Sequence, residues 1–564
     1  MQAVYLIIAA IALLMAGYVL YGNWLAKQWG VDPARKTPAH TMRDGVDYVP
    51  AKPAVLMGHH FASITGLGPV NGPIQAAVFG WVPVFLWCVL GGIFFGGPHD
   101  FGALFASVRH DGKSIGEVIK DTMGKRAGRL LIVFELIVVI LVMASCVNAI
   151  TGTLVSPRFG LSANPSANET VAMISVLFIV LAFVYGIVTN RFGVGVLPAA
   201  VAGILCICVI SALGLRFGIA MPRTPWIVFL CAYITLASLT PVWMLLQPRD
   251  YLSGLLFWAL MILSVIGILI SGLTGTATFE LPAFRGWNSQ IGSIFPALFI
   301  TINCGACSGY HALITPGTTS KQLDSEAHAK PVGYGATLME SALAVVSLIA
   351  VGTVFTRYLN GEFGSPPIVF ASGLAAMFGA ETSLVYNVVY AMLTFAVSAF
   401  MLTNLDTSAR ISRFLLAELF RKEGEASWRD ASGIRKFLTH PVAGTLIMVG
   451  ISGTLGALKL SQIWALFGAA TQLLAALTLM AVAAWLGKIG RNNKMFYFPM
   501  AFMILVSLCS LYTTVKAKVG LIGGGNAMWG DYFQLVFAVA MVILAVILTV
   551  ESVQTMMKQG KGKA

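Results

Sequence analysis

GHHFASITGLGPVNGP, from Gly58 to Pro73, is the stretch on which the fold turns. It sits in an apolar run of membrane-spanning length, yet Gly66, Gly68, Pro69, Gly72 and Pro73 within eight residues break any continuous helix there. In hydrocarbon every backbone N–H and C=O needs a partner. An unwound segment is tolerated only where protein buries it or where it lines a cavity. With His59 and His60 just upstream, freed backbone and ionisable side chains coincide, which is the sequence pattern of a transporter's binding site.

The rest of the chain agrees with a membrane setting. Hydrophobic residues make up 57% and charged residues 10% of 564 positions, and mean hydropathy is +0.83. These values exclude a soluble globular protein. The net charge of +13 lies between apolar runs rather than in a basic tail or stripe, so it marks topology and not a nucleic-acid partner. The eight cysteines fall almost entirely inside apolar runs and read as small packing residues.

Runs long enough to cross about 30 Å of hydrocarbon give about fifteen spans. Those that matter below are 55–78, 80–108, 129–153, 226–246, 293–315, 333–356, 439–457 and 461–486. The segment 366–379 is too short to cross and reads as re-entrant or as a surface helix. With the N-terminus outside and the C-terminus cytoplasmic, 28 of the 36 Lys and Arg lie on the inner side, Arg249 among them in a short loop. The first span lacks a basic leader and a cleavage site, and reads as a retained helix.

A second interruption, at Ser238, Thr240, Pro241 and Trp243, falls five spans after the first. That spacing predicts a five-plus-five inverted repeat, an all-α polytopic fold of the LeuT-like, amino acid-polyamine-organocation type. Its parts would be an N-terminal span and loop (1–54), repeats 55–214 and 226–403, a cytoplasmic amphipathic segment (404–438) and peripheral helices (439–564). The substrate would sit between the second and seventh spans, its carboxylate held by amides around Gly66, Gly68, Pro69, Asn71 and Gly72, with Ser238, Thr240 and Trp243 opposite.

Ionisable residues at membrane depth are costly and therefore functional candidates. His59, His60, His99, Asp100, Glu135, His311 and Glu340 are such residues, with Ser63, Asn303 and Ser308 as polar neighbours at a proton- or ion-coupling site. Cys304, Cys307 and His311, three and four apart, would share one helical face. With His59 or His60 they would make a metal set, which gives a membrane metalloprotein or redox sensor as the competing reading. The small residues Gly305, Ala306, Ser308 and Gly309 argue instead for close helix packing and no bound metal. The chain has no P-loop, no Rossmann glycine pattern and no nucleophile elbow, so neither ATP nor a nucleotide cofactor enters and no enzyme is implied.

Together, DYVPA (47–51), GHHFASITGLGPVNGPIQAA (58–77), HDFGALFASVRHDGKSIGEV (99–118), PVWMLLQPRDYLS (241–253), CGACSGYHALITPGTTSKQL (304–323) and IWALFGAATQLLAAL (463–477) closely resemble the carbon starvation protein A family. The resemblance implies an inner-membrane secondary transporter in the bacterial lipid bilayer. It would take up peptides or pyruvate under carbon limitation, and the histidines at membrane depth point to H+ as the coupling ion. Some longer members have glutamine where His99 stands, which weakens the case that His99 is indispensable.

Overall fold

The computed structural model describes residues 2–45, 47–163, 165–422, 425, 428–457 and 460–561. The helices that position the site are, in chain order, α1 (Pro53–Ile64), α2 (Gly68–Ala76), α3 (Gly97–Arg109), α4 (Lys125–Leu154), α5 (Arg223–Leu239) and α6 (Leu246–Thr274). They continue with α7 (Ile294–Thr301), α8 (His311–Ile314), α9 (Ala336–Thr353), α10 (Pro366–Ala375), α11 (Leu384–Phe420) and α12 (Leu460–Lys488). Two short antiparallel strand pairs lie outside these helices, Gly160–Ser162 with Gly218–Ala220 and the hairpin Asn288–Ser289 with Gly292–Ser293.

Among the described residues, eleven helices are long and apolar enough to cross a membrane, or twelve if Gly433–Thr439 and Pro441–Gly456, bent by 69°, count as one span. The expected fifteen differ where helices are interrupted or short. The run 55–78 divides into α1 and α2, and 293–315 into α7 and α8, while 226–246 ends early at Leu239 and 439–457 belongs to the bent pair.

Burial reorders the expected periphery. The apolar window of Leu466–Lys488 is 100% buried, against 28% for Trp529–Thr555. Its alanines at 469, 470, 475 and 476 let neighbouring backbones approach, and Gly309 lies so near that a Cβ there would be 2.2 Å from the Thr471 carbonyl. The 461–486 helix is therefore core, not peripheral. Of the two readings for 366–379, the surface helix is excluded, because α10 is buried against α9, α11 and α2.

The segment 404–438 also departs from expectation. Its first part is not an interfacial amphipathic helix but the buried end of α11, with Asp406 and Arg410 1% and 2% exposed. Asp406 is paired with Arg249, and Arg410 donates to the Ala237 and Thr240 carbonyls, so both have partners within the fold. Residues 423, 424, 426 and 427 of that segment lie outside the described residues.

Candidate functional site

The break in Gly58–Pro73 falls where the sequence places it. Lys52 opens α1 ahead of Pro53, and the helix stops at Ile64, with Thr65 at ψ 91° turning the chain out of register before α2 restarts at Gly68. Close approach explains the glycines. A Cβ on Gly68 would stand 2.1 Å from Cys304 Cβ, one on Gly72 2.7 Å from the Thr301 carbonyl, and one on Gly66 2.3 Å from Asn404 Nδ2. The break is thus held between residues 301–304 and α11.

The second interruption that faces it is therefore at 302–310, between α7 and α8, and not at Ser238–Trp243. Ser238 donates to the Ala409 carbonyl (3.4 Å) and lies 3.3 Å from Thr445 Oγ1, while the Thr240 carbonyl accepts from Arg410 Nη2. Trp243 is 37% exposed. These residues fasten α5 to α11 and to Pro441–Gly456. Proline at 241 ended a helix here rather than breaking one in its middle.

Two of the positions expected to hold an anion offer no free amide. Pro69 has no N–H, and the Asn71 N–H bonds to the Leu67 carbonyl at 2.8 Å. The free polar capacity at the break lies in side chains instead. Ser63 Oγ, Thr65 Oγ1 and both amide atoms of Asn71 are buried without hydrogen-bond partners.

The titratable residues fall into two buried clusters, one on each side of α1. In the first, Asp100 accepts from His99 Nδ1 and His311 Nδ1, both at 2.6 Å, and from the Thr337 hydroxyl. The other nitrogen of His311, Nε2, lies 3.3 Å from Glu340 Oε2. Since both Nδ1 atoms face a carboxylate, both carry a proton, while His311 Nε2 and the Glu340 oxygens make no hydrogen bond. Beside this cluster His60 Nδ1 bonds to Thr319 Oγ1 at 2.8 Å. All of these side chains are buried.

The second cluster was not singled out from the sequence. His59 Nδ1 donates to Asp250 Oδ2 at 2.6 Å, and Asp250 Oδ1 lies 3.7 Å from Arg249 Nη2. Arg249 Nη1 donates to Asp406 and to Tyr233 OH (2.5 Å), and Tyr233 donates to Asp406 Oδ2 at 2.6 Å. Arg249, counted above with the topology-setting loop residues, is 0% exposed. It follows a helix start at Leu246 that the sequence does not announce, because Gln247, Pro248, Arg249 and Asp250 read as a loop.

Other candidates are placed apart. Asn303 turns away from the histidines, donating to Thr471 Oγ1 at 2.8 Å and accepting from the Cys304 N–H at 2.6 Å. Cys304 Sγ donates to Ser308 Oγ at 3.3 Å. Among the described residues no group of three or more His, Cys, Asp or Glu is arranged to hold a metal. The proposed set of Cys304, Cys307 and His311 fails because 302–310 is not a helix, so spacings of three and four do not share a face there. Glu135 lines a separate cavity of 460 Å³ with Ser114, Lys321, Leu313 and Glu418. At its mouth Lys321 lies 5.5 and 5.0 Å from the ring centres of Tyr48 and Phe414. Burial holds the Lys321 ammonium below its usual range, and burial with nearby Asp44 and Asp47 pushes the Tyr48 phenol up to about 12.

A family model described as "Carbon starvation protein CstA" matches residues 2–366 and 361–510. The chain belongs to the carbon starvation protein CstA family. CstA of Campylobacter jejuni, named a peptide transporter, is 32% identical over 90% of this chain and 79% of its own length. The peptide transporter CstA of Escherichia coli K12 is 29% identical over 93% and 83%. The pyruvate/proton symporter BtsT of the same organism is 33% identical over 63% of this chain and 49% of its own length. A solved structure of MhsT in complex with L-phenylalanine aligns over 89% of this chain and 99% of its own, at 13% identity and TM-score 0.48. As a CstA-family protein the chain is a helical membrane transporter and not an enzyme, and the metalloprotein reading is not favoured.

Proposed function

We propose that this protein carries small carboxylate-bearing nutrients, peptides or pyruvate, across the bacterial inner membrane in symport with protons, with its N-terminus outside and its C-terminus cytoplasmic. The observation that carries the reading is the buried chain His99–Asp100–His311–Glu340, in which successive polar atoms lie 2.6, 2.6 and 3.3 Å apart. Such a chain of histidines and carboxylates, buried and linking α3, α8 and α9, can hold and pass protons. Beside it, His60 on the broken helix bonds to Thr319.

The unpartnered Ser63, Thr65 and Asn71 then offer hydrogen bonds to the polar part of the substrate. The two interruptions, at 65–67 and 302–310, fall one in each of the halves 55–214 and 226–403, which fits two repeats moving about a site between them. The test is uptake by proteoliposomes under an imposed pH gradient. His60→Ala is expected to abolish gradient-driven uptake of pyruvate and dipeptides. Undiminished uptake with an unchanged pH profile would remove the assignment.

A further inference from the structure

We propose that the Nε–Nη2 edge of Arg249 receives the carboxylate of the transported substrate, and that Asp250, shared between Arg249 and His59, ties that binding to a proton on His59. This inference rests on the transport reading above and names its anion anchor. A guanidinium offers two N–H groups along each edge in a fork that matches a carboxylate's two oxygens. In Arg249 one terminal nitrogen, Nη1, is taken by Asp406 and Tyr233. Nε and Nη2 have no hydrogen-bond partner, although the residue is 0% exposed. Leaving two donors of a buried cation unmet is costly, and the edge they form is the one suited to bidentate carboxylate binding.

The nearest carboxylate oxygen is Asp250 Oδ1, 3.7 Å from Nη2, which is too long for a hydrogen bond, and it too lacks a partner. Its other oxygen is held by His59 at 2.6 Å. Asp250 therefore stands between two cationic claimants. Arg249 and Asp406 neutralise each other, and Asp250 is neutralised when His59 carries a proton. An incoming carboxylate adds one negative charge beside Asp250 and so favours protonated His59, which is the linkage a symporter needs.

The charged and titratable groups on elements packed against α1 are Arg249, Asp250 and Tyr251 on α6, Tyr386, Tyr390, Asp406, Arg410, Arg413 and Glu418 on α11, His311 on α8 and Glu340 on α9, with Lys330 and Tyr334 in the turn before α9. Of these only Asp250 is hydrogen-bonded to the His59 ring. At the crossing of α1 and α6, Gly58 and Gly254 meet with no side chain between them, a Cβ on Gly254 standing 3.3 Å from Gly58 Cα, and the break follows two turns later.

The experiment measures binding of pyruvate and dialanine, each beside its methyl ester, to purified full-length protein, together with proton uptake in weakly buffered solution. The parent is expected to bind each acid at least tenfold more tightly than its ester and to take up one proton per acid bound. Arg249→Lys, which keeps a cation for Asp406 but has no fork, should lose at least tenfold in acid affinity. So should Arg249→Met/Asp406→Asn, which removes both charges and keeps the volume, and His59→Gln should end the proton uptake. Acid binding at parental affinity in both Arg249 variants overturns the anchor while leaving the transport reading standing. Binding without proton uptake by the parent overturns the His59 linkage. A parent that binds neither acid more tightly than its ester overturns the carboxylate class, and the anchor falls with it.

Discussion

His59 and His60 are adjacent on α1, yet their imidazoles bond to partners 191 and 259 residues away, Asp250 and Thr319, in different clusters. Neighbouring positions on a helix point about 100° apart, so one turn of α1 serves two networks. The separation can be measured by double-mutant cycles on unfolding of the purified protein. His60→Ala and Thr319→Ala remove the same bond and should couple by about 1 kcal/mol, while His59→Ala and Thr319→Ala should add to within about 0.5 kcal/mol.

Asp100 is the hub of the first cluster and Glu340 its open end. Asp100→Asn loses the charge that three donors address, and a large drop in stability, on the order of 3 kcal/mol, is expected in thermal melts. Glu340→Gln, whose oxygens have no hydrogen-bond partner, should melt within a few degrees of the parent while uptake loses its response to the pH gradient. Equal melting losses in the two variants would contradict this division.

Gly68→Ala places a methyl 2.1 Å from Cys304 Cβ, a distance no rotamer relieves. Loss of uptake and a lowered melting temperature are expected, and Cys304→Gly in the same chain should restore part of both. Cys304→Gly alone should be tolerated better than Gly68→Ala, since it opens space rather than forcing an overlap.

Lys321, outside the membrane-spanning segments, is held below the 10.5 of a free lysine by burial. The unfolded chain thus binds more protons than the folded one between the two values. The parent's stability therefore rises with pH as the folded ammonium is released, and levels off above about 10.5. Lys321→Met, which keeps the stem against Tyr48 and Phe414, should raise the melting temperature by a few degrees at pH 7, with the gain shrinking toward pH 10.5. A gain independent of pH would point to packing alone.

Much of the first cluster is legible in the sequence, because a charged residue inside an apolar run stands out against its neighbours. His60, His99, Asp100, His311 and Glu340 all declare themselves so, and the structure brings them together. Arg249, Asp250 and Asp406 do not, because each lies beside a polar or proline-containing stretch that reads as loop: QPRD before the apolar part of α6, and DTSAR at the end of α11. Their burial comes from pairing across helices far apart in the chain, and no local pattern encodes that. The same holds for the facing of 65–67 and 302–310. Counting spans between helix breakers pointed to Pro241, whereas what selects the partner is the fit of glycine against backbone, visible only in three dimensions.

That fit constrains how the molecule moves. With Gly68 and Gly72 seated on Cys304 and on the backbone of Thr301 and Ile302, α2 and the end of α7 have no clearance to slide past each other and behave as a single block. Rotation is left to the unwound joints at 65–67 and 305–310, so alternating exposure would come from α1 and α8 swinging at the rims of a fixed centre, carrying His59, His60 and His311 with them. On this account the proton-bearing side chains ride the moving parts, and opening the gate and changing their protonation are one mechanical event.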